Sequence, residues 1–148
     1  MRILLQRVSR AAVRVHGERI AEIGPGLLLL VGIGAADASG EVDRLADKVV
    51  HLRVFSDDEG KMNRSLADVG GEILVVPQFT LYGNLRKGRR PSWDAAALPE
   101  VADDRVEAFA RALEARGARV GRGAFGEHME VDLVNEGPVT LWLDTADL

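Results

Sequence analysis

The sequence contains no cysteine, and this absence excludes several classes of chemistry. Without a thiol the chain forms no disulfide, has no thiolate nucleophile and offers no cysteine ligands for zinc or an iron–sulfur cluster. Long hydrophobic runs are also lacking, since the longest, about residues 27–36, is too short to span a bilayer. The apolar start at Ile3 is interrupted by Gln6 and Arg7, so we expect no signal peptide. These absences favour a protein of the reducing cytoplasm with no membrane partner.

Familiar catalytic and cofactor motifs are absent as well. His16, His51 and His128 lie far apart in the sequence and have no paired metal-binding spacing. The glycines of segments 24–26 and 32–34 do not open a helix, as those of a phosphate-binding loop would. The acidic run 57–59 lacks the alternating oxygen ligands of an EF-hand loop. The sequence therefore predicts no metal site and no cofactor.

The charge of the chain is slightly acidic overall but locally basic. A length of 148 residues suits one domain over residues 1–148, and the net charge of −4 argues against a dedicated nucleic-acid-binding protein. One loop next to Trp93 nevertheless concentrates positive charge. Such a loop suits phosphate contact and base stacking, although the same pattern also fits a solvated charged loop. We call it the basic loop, and its cations are Arg86, Lys87, Arg89 and Arg90.

The order of the predicted elements favours a mixed α+β fold. Apolar patterns predict strands over residues 1–8, 11–16, 19–23, 27–33, 54–55, 72–79, 119–121, 130–134 and 139–144. Helical spacing predicts one helix over 40–52, capped by Ser39, and a second over 99–116. Pro77 predicts an edge position or a bulge near the end of its strand. We expect mixed β-sheets in a layered or barrel-like arrangement, with the two main helices packed on one face.

Two strand-like segments end in polar or backbone-distorting residues, and we expect the chemistry there. The first, residues 75–83, brings Gln78, Phe79 and Thr80 to the end of a buried strand. A strand end offers free backbone N–H groups, an amide and a hydroxyl, which can together hold a developing oxyanion. Thr80 is alternatively a nucleophile, although no base is paired with it in the sequence. In a third interpretation these polar side chains only complete the hydrogen bonds of a turn.

The second segment, residues 135–140, contains the dipeptide Gly137–Pro138 between two strand-like runs. Bonds that precede proline are where cis peptides occur, at a frequency of about 5–6% in folded proteins. A cis bond would turn the backbone carbonyls in an unusual direction. A trans turn or the start of an edge strand is the alternative.

Short motifs occur in a fixed order along nearly the whole chain. They are LQRVS at 5–9, IGPGL at 23–27, DDEGKMN at 57–63, GGEILVV at 70–76, QFTLY at 78–82, RKGRRPS at 86–92 and NEGPVT at 135–140. Together these motifs resemble those of the D-aminoacyl-tRNA deacylases, which are also called D-tyrosyl-tRNA deacylases. The resemblance departs at Pro77, where that family usually has serine, so a side-chain hydroxyl and a backbone N–H are absent at this position.

The resemblance implies both an activity and an assembly. The expected reaction is hydrolysis of the ester between a D-amino acid and the terminal ribose of tRNA, with glycyl-tRNA as a second substrate. The ribose hydroxyl of the substrate is expected to orient or activate the attacking water. The expected assembly is a homodimer with active sites at the subunit interface. The alternatives are an esterase with Thr80 as covalent nucleophile and a tRNA-binding dimer without turnover.

The resemblance also assigns roles to particular residues. The segment of Gln78, Phe79 and Thr80 is expected to line the active site. Gly137–Pro138 is expected to be a cis peptide that reaches into the partner's site, where its carbonyls screen the substrate's stereocentre. Arg7 is expected to brace that dipeptide.

Overall fold

The computed structural model describes all 148 residues, and its central feature is a mixed sheet of six strands. Five of the strands occur in the order β2-β1-β3-β6-β7. The sixth, β8, lies outside this order and pairs with β1. β2 also contacts β6 and β7, so the sheet curls toward a barrel. The sheet strands are β1 Arg2–Val15, β2 Glu18–Ile23, β3 Gly26–Gly32, β6 Glu72–Pro77, β7 Arg119–Arg122 and β8 Met129–Asp144.

The remaining elements lie between and around these strands. A small hairpin of β4 and β5 precedes the short helix α2, and α1 and α3 are the two main helices. None of the helices combines the length and apolar character needed to cross a membrane. The bounds are α1 Glu41–His51, β4 Phe55–Ser56, β5 Met62–Arg64, α2 Leu66–Val69 and α3 Pro99–Glu114, with 3-10 turns at Phe79–Tyr82 and Thr145–Asp147.

The core lies on both faces of the sheet, because successive side chains of a strand point to opposite sides. In β3, Leu27 and Leu29 face the main helices and pack with Leu45 and Phe109. The intervening Leu28 belongs to a second cluster, on the opposite face, with residues of β1, β2 and β6. The uniformly apolar sequence of β3 is therefore buried on both sides, as predicted. The predicted α+β fold with two main helices on one face is confirmed.

The two main helices begin for different reasons. α3 begins with Pro99 in its first turn, where a fixed φ suits the helix and the missing N–H costs nothing. The predicted Ser39 cap of α1 is wrong, since the N-cap is Gly40 and no side chain caps the helix. Gly40 is already helical in conformation, and the N–H of Glu41 donates to the carbonyl of Ala38. The chain thus enters α1 through a backbone turn instead of an extended capping residue.

Several predicted strand boundaries are wrong. The runs 1–8 and 11–16 form one strand, β1, and the runs 130–134 and 139–144 are the two ends of β8. Irregular pairing lets both strands continue through residues that looked like breaks. β6 stops at Pro77 instead of Phe79, because the chain turns there into the 3-10 turn. α2 was not predicted, since a four-residue helix held by a Ser65–Asp68 capping box has no periodicity to detect.

Pro77 lies where a missing N–H is tolerated. β6 is flanked by β3 and β7, but its pairing with β7 ends at Val75 and Arg122. The N–H of Gln78 donates to Val31 of β3, so the nitrogen of Pro77, one residue earlier, faces the β7 side. Pro77 is therefore at a local edge near the end of its strand, as predicted.

Candidate active site

The 3-10 turn Phe79–Tyr82 brings unpaired backbone donors to the end of β6. The turn's first hydrogen bond runs from the N–H of Leu81 to the carbonyl of Gln78, at 3.3 Å. The N–H groups of Phe79 and Thr80 come before that bond and have no partner within the turn. Both residues are exposed, and the Phe79 side chain is 52% exposed. Two neighbouring N–H groups are thus available to a ligand, which is the arrangement that stabilises an oxyanion.

The side chains of this turn contain no catalytic base. The amide of Gln78 donates a hydrogen bond to the hydroxyl oxygen of Thr80. Thr80 makes no hydrogen bond to histidine, carboxylate or amine. An amide cannot accept the proton of a threonine hydroxyl, so Thr80 lacks the partner that activates a nucleophile. The geometry favours backbone and bound substrate as the sources of catalysis.

The basic loop begins directly after this turn. Asn84 and Ser92 exchange two backbone hydrogen bonds and close the loop at its base. The next residue, Trp93, meets Phe79 edge to face with ring centroids 5.0 Å apart. All four cations of the basic loop are exposed, and none forms an ion pair with an acidic side chain. Their charge therefore remains available to a bound polyanion next to the turn.

A small cavity lies next to Pro77, at the end of β6. Its volume is about 50 Å³, and α3 and the end of β7 form its walls. Arg122 and Glu107 line it and form an ion pair, and Arg122 also pairs with Glu114, so that the pKa of both carboxyls is lowered. No local pattern in the sequence predicts this cavity, because its walls come from segments far apart in the chain.

The second predicted segment forms a bulge in β8. Residues of β8 pair with β1 up to Asn135 opposite Val8, with one register shift between Arg10 and Val8, and the pairing resumes at Thr140 opposite Gln6. Residues 136–139 therefore stand opposite the single residue Arg7. The side-chain amide of Asn135 donates to the carbonyls of Arg7 and Val139, at 3.0 and 2.9 Å. These bonds close the neck of the bulge, a role for Asn135 that the sequence analysis did not assign.

Arg7 fills the space beneath the bulge, and it is only 7% exposed. Its guanidinium donates to the backbone carbonyls of Glu136, at 3.1 Å, and Val54, at 2.6 Å. The same group forms an ion pair with the Glu136 carboxylate, at 2.6 Å. A buried cation is tolerated only with such partners, so Arg7 is fixed to the bulge and to the chain before β4.

Gly137 and Pro138 form the exposed tip of the bulge. The peptide bond between them is cis, as the resemblance implied. Gly137 has a φ of 124°, which L-residues rarely adopt, and a Cβ added there would lie 2.8 Å from the Arg7 Nη2 atom. Only glycine fits this position without strain. No hydrogen bond of the single chain connects the bulge with Gln78, Phe79 or Thr80.

β8 also leaves one of its own edges open. It pairs with β1 alone, so its other edge presents unpaired backbone groups along a strand of 16 residues. Large apolar side chains on this strand are exposed, namely Val134, Leu141 and Trp142. A long open edge with apolar side chains is a surface at which a second chain can pair.

Comparisons with known proteins agree with the motifs. The family model described as D-Tyr-tRNA(Tyr) deacylase matches residues 4–144. A D-aminoacyl-tRNA deacylase of Thermomicrobium roseum is 57% identical over 148 residues, which is 100% of this chain and 96% of that relative. One of Chloroflexus aurantiacus is 55% identical over 148 residues, with 100% of this chain and 92% of that relative covered.

Solved structures show the same fold. A structure described as c-Myc DNA Unwinding Element Binding Protein has a TM-score of 0.91 at 38% identity, with 98% of this chain and 99% of that chain covered. A probable eukaryotic D-amino acid tRNA deacylase has a TM-score of 0.83 at 20% identity and covers 96% of this chain and 97% of its own, which shows the fold alone. With the family model and the full-length relatives, this chain belongs to the D-Tyr-tRNA(Tyr) deacylase family.

Proposed function

We propose that this protein hydrolyses the ester bond of D-aminoacyl-tRNA and releases the free D-amino acid and tRNA. The observation that carries the proposal is family membership over nearly the whole length, with relatives at 55–57% identity that are named D-aminoacyl-tRNA deacylases. Because the substrate takes part in translation, we infer that the enzyme acts in the cytoplasm.

The 3-10 turn supplies the electrostatic part of the reaction. The N–H groups of Phe79 and Thr80 are free to donate to the ester oxygen as it gains negative charge. An aminoacyl ester is already activated, so the attack of water needs orientation more than a strong base. The ribose hydroxyl next to the ester orients that water, which accounts for the absence of a base beside Thr80.

The bulge in β8 supplies the discrimination between stereoisomers. Its tip presents the backbone of Gly137 and Pro138 to solvent, and Arg7 holds it from below. If these backbone carbonyls contact the hydrogen side of the substrate's α-carbon, the side chain of an L-residue has no room there. D-residues and glycine then pass, since glycine has no side chain to exclude. Glycyl-tRNA is accordingly a second substrate.

A second copy of the chain completes each site. Within one protomer no hydrogen bond connects the bulge with the turn, and the outer edge of β8 is open. Pairing of this edge with a partner satisfies its open backbone groups and can bring the partner's bulge to the turn. The proposed active enzyme is therefore a homodimer with sites at the subunit interface.

The basic loop contacts the tRNA backbone. Its four cations are unpaired, and they begin six residues after the turn's second donor, Thr80. Phosphates that lie close to the ester bond can reach this charge, while the chain as a whole remains acidic at −4. Local attraction thus guides the charged end of the substrate to the turn.

Deacylation of tRNA charged with D-tyrosine, L-tyrosine or glycine tests the proposed function directly. We expect rapid release of D-tyrosine and glycine, and release of L-tyrosine no faster than in buffer. Tight binding of all three without release would instead identify a tRNA-binding protein. Equal hydrolysis of the two tyrosine stereoisomers would contradict the role of the bulge.

A further inference from the structure

The exposed residues of the 3-10 turn have few contacts of their own, whereas its last residue is firmly held. The ring of Phe79 packs edge to face with Trp93, and the side chain of Thr80 bonds only to Gln78 beside it. A single four-residue 3-10 turn has poor hydrogen-bond geometry and little intrinsic stability. Something outside the turn must therefore fix the direction of its free N–H groups.

Tyr82 ends the turn and is 8% exposed. Its ring lies so close to the end of β3 that a Cβ added at Gly34 would come within 2.7 Å of it. A Cβ at Gly32 would lie 2.9 Å from the carbonyl oxygen of Gln78 and 3.2 Å from the ring. The two glycines thus let the turn rest directly on the backbone of this segment.

Asp37 binds the hydroxyl of Tyr82. Its Oδ2 atom accepts from that hydroxyl at 3.0 Å and from the N–H of Gly34 at 2.5 Å. Its Oδ1 atom lies 2.8 Å from the amino group of Met1, and its backbone carbonyl accepts from Arg105. Burial, with the nearby Asp37 charge, raises the pKa of Tyr82, so the hydroxyl remains a donor.

Arg2 covers the other side of the same ring. Its guanidinium carbon lies 4.3 Å from the centroid of Tyr82, which is within the range of a cation–π contact. The same group donates to the carbonyl of Leu81 at 3.0 Å, and its Nε bonds to Asp144 at 2.9 Å. Arg2 therefore holds both the ring and the backbone of the turn, from a strand on the opposite side of β3.

We propose that Arg2, Asp37 and Tyr82 are positioning residues that clamp the 3-10 turn and thereby aim the N–H groups of Phe79 and Thr80 at the substrate. None of the three touches the reacting atoms. The inference rests on the proposed function, because it assigns these residues a part in that reaction. The clamp acts on kcat more than on KM, since donors that are misdirected lose contacts made mainly in the transition state.

Tyr82→Phe and Arg2→Lys test the clamp with little loss of packing. Tyr82→Phe removes only the hydroxyl, and Arg2→Lys keeps the charge but loses the planar group that contacts ring and carbonyl together. For each we expect kcat to fall about tenfold or more, with KM changed less than about twofold. The double variant should lose less than the product of the two effects, because both act on one turn. Arg116→Lys is the matched control, since Arg116 joins α1 to the end of α3 through four hydrogen bonds, more than the two of Arg2, at a place away from the turn.

Amide hydrogen exchange provides a readout that does not depend on activity. The N–H groups of Leu81 and Gly83 donate to Gln78 and Thr80, and both should exchange about tenfold faster in the clamp variants but not in Arg116→Lys. Unchanged kcat and unchanged exchange would overturn the clamp, as would faster exchange spread evenly over the whole protein. If the wild-type protein does not release D-amino acids, the proposed function fails, and exchange at the turn alone then decides whether the clamp exists.

Discussion

We propose that the bulge in β8 screens the substrate's stereocentre, and Gly137→Ala is the most direct perturbation of this bulge. The added Cβ would lie 2.8 Å from Arg7 Nη2 and 3.1 Å from Val139 Cγ2. To reach ordinary contact at 3.4 Å, Arg7 or the bulge must move by about 0.6 Å. Alanine must also adopt a φ of 124°, which costs about 1–3 kcal/mol for a residue with a side chain.

The displacement should affect activity more than folding. Arg7 is held by the carbonyls of Val54 and Glu136, so the tip of the bulge is the part that has freedom to move. We expect the free energy of unfolding to fall by about 1–3 kcal/mol. We expect kcat/KM for D-tyrosyl-tRNA to fall about 100-fold, which is typical when a site is misplaced by about 1 Å. Urea denaturation and initial deacylation rates measure the two effects separately.

Gly117→Ala is the matched control for this experiment. Gly117 also has a positive φ, of 90°, but a Cβ added there meets no atom within 4 Å. This variant should lose stability through backbone strain alone and keep the activity of the wild-type protein. If Gly137→Ala folds and hydrolyses D-tyrosyl-tRNA at the wild-type rate, with L-tyrosyl-tRNA still rejected, the bulge is not the stereochemical filter.

Four further predictions concern the turn, the basic loop, the assembly and acid stability. Thr80→Ala should deacylate D-tyrosyl-tRNA within about tenfold of the wild-type rate, whereas loss of a nucleophile would cost several orders of magnitude. A folded but inactive variant, together with a trapped acyl-enzyme in the wild type, would show covalent catalysis. If the basic loop neutralises about two to four phosphates, log K for tRNA should fall with log salt at a slope of roughly −1.5 to −3.5. Replacement of the loop's four cations by glutamine should flatten that slope, whereas the control Lys48→Gln on α1 should leave it unchanged. The mass in solution should be that of a dimer at micromolar concentration, and a fully active monomer would refute the shared site. Arg122 lowers the pKa of Glu107 and Glu114, so these exposed ion pairs make a small contribution to the free energy of unfolding. That contribution should be present above the ordinary carboxyl pKa and should disappear as pH falls through the lowered pKa values. Thermal unfolding against pH should therefore show a smaller acid effect in Arg122→Gln than in the wild type.

Local patterns in the sequence were sufficient for most of the fold. The uniform apolar run of β3 predicted burial on both faces, and helical spacing located α1 and α3 to within a few residues. The patterns failed where tertiary pairing overrides a local break. Ser9 and Arg10 are exposed and looked like a gap between two strands, but β8 pairs with Val8 and Arg10 on either side of Ser9 and keeps β1 extended.

The candidate site and the bracing of its bulge by Arg7 were expected from the motifs, but the other contacts that fix the site were not. Gln78–Thr80 and Gly137–Pro138 stand out because polar or backbone-distorting residues follow apolar runs. The partner of Arg7 at Val54 is 47 positions away in the chain, and that of Tyr82 at Asp37 is 45 positions away. A single sequence carries no signal for pairs at such separations, because periodicity and turn chemistry reach only a few residues.

Arg7 nevertheless left a signal that periodicity alone could have found. In β1 the side chains of Ile3 and Leu5 point into the core that the helices cover, and a period of two puts residue 7 on the same side. A charged residue at a position that the pattern assigns to the core conflicts with the strand around it. In this protein the conflict is resolved by the bulge in β8, whose carbonyl and carboxylate receive the guanidinium. A mismatch between residue type and pattern thus marks a site where the fold has been adapted to something other than stability.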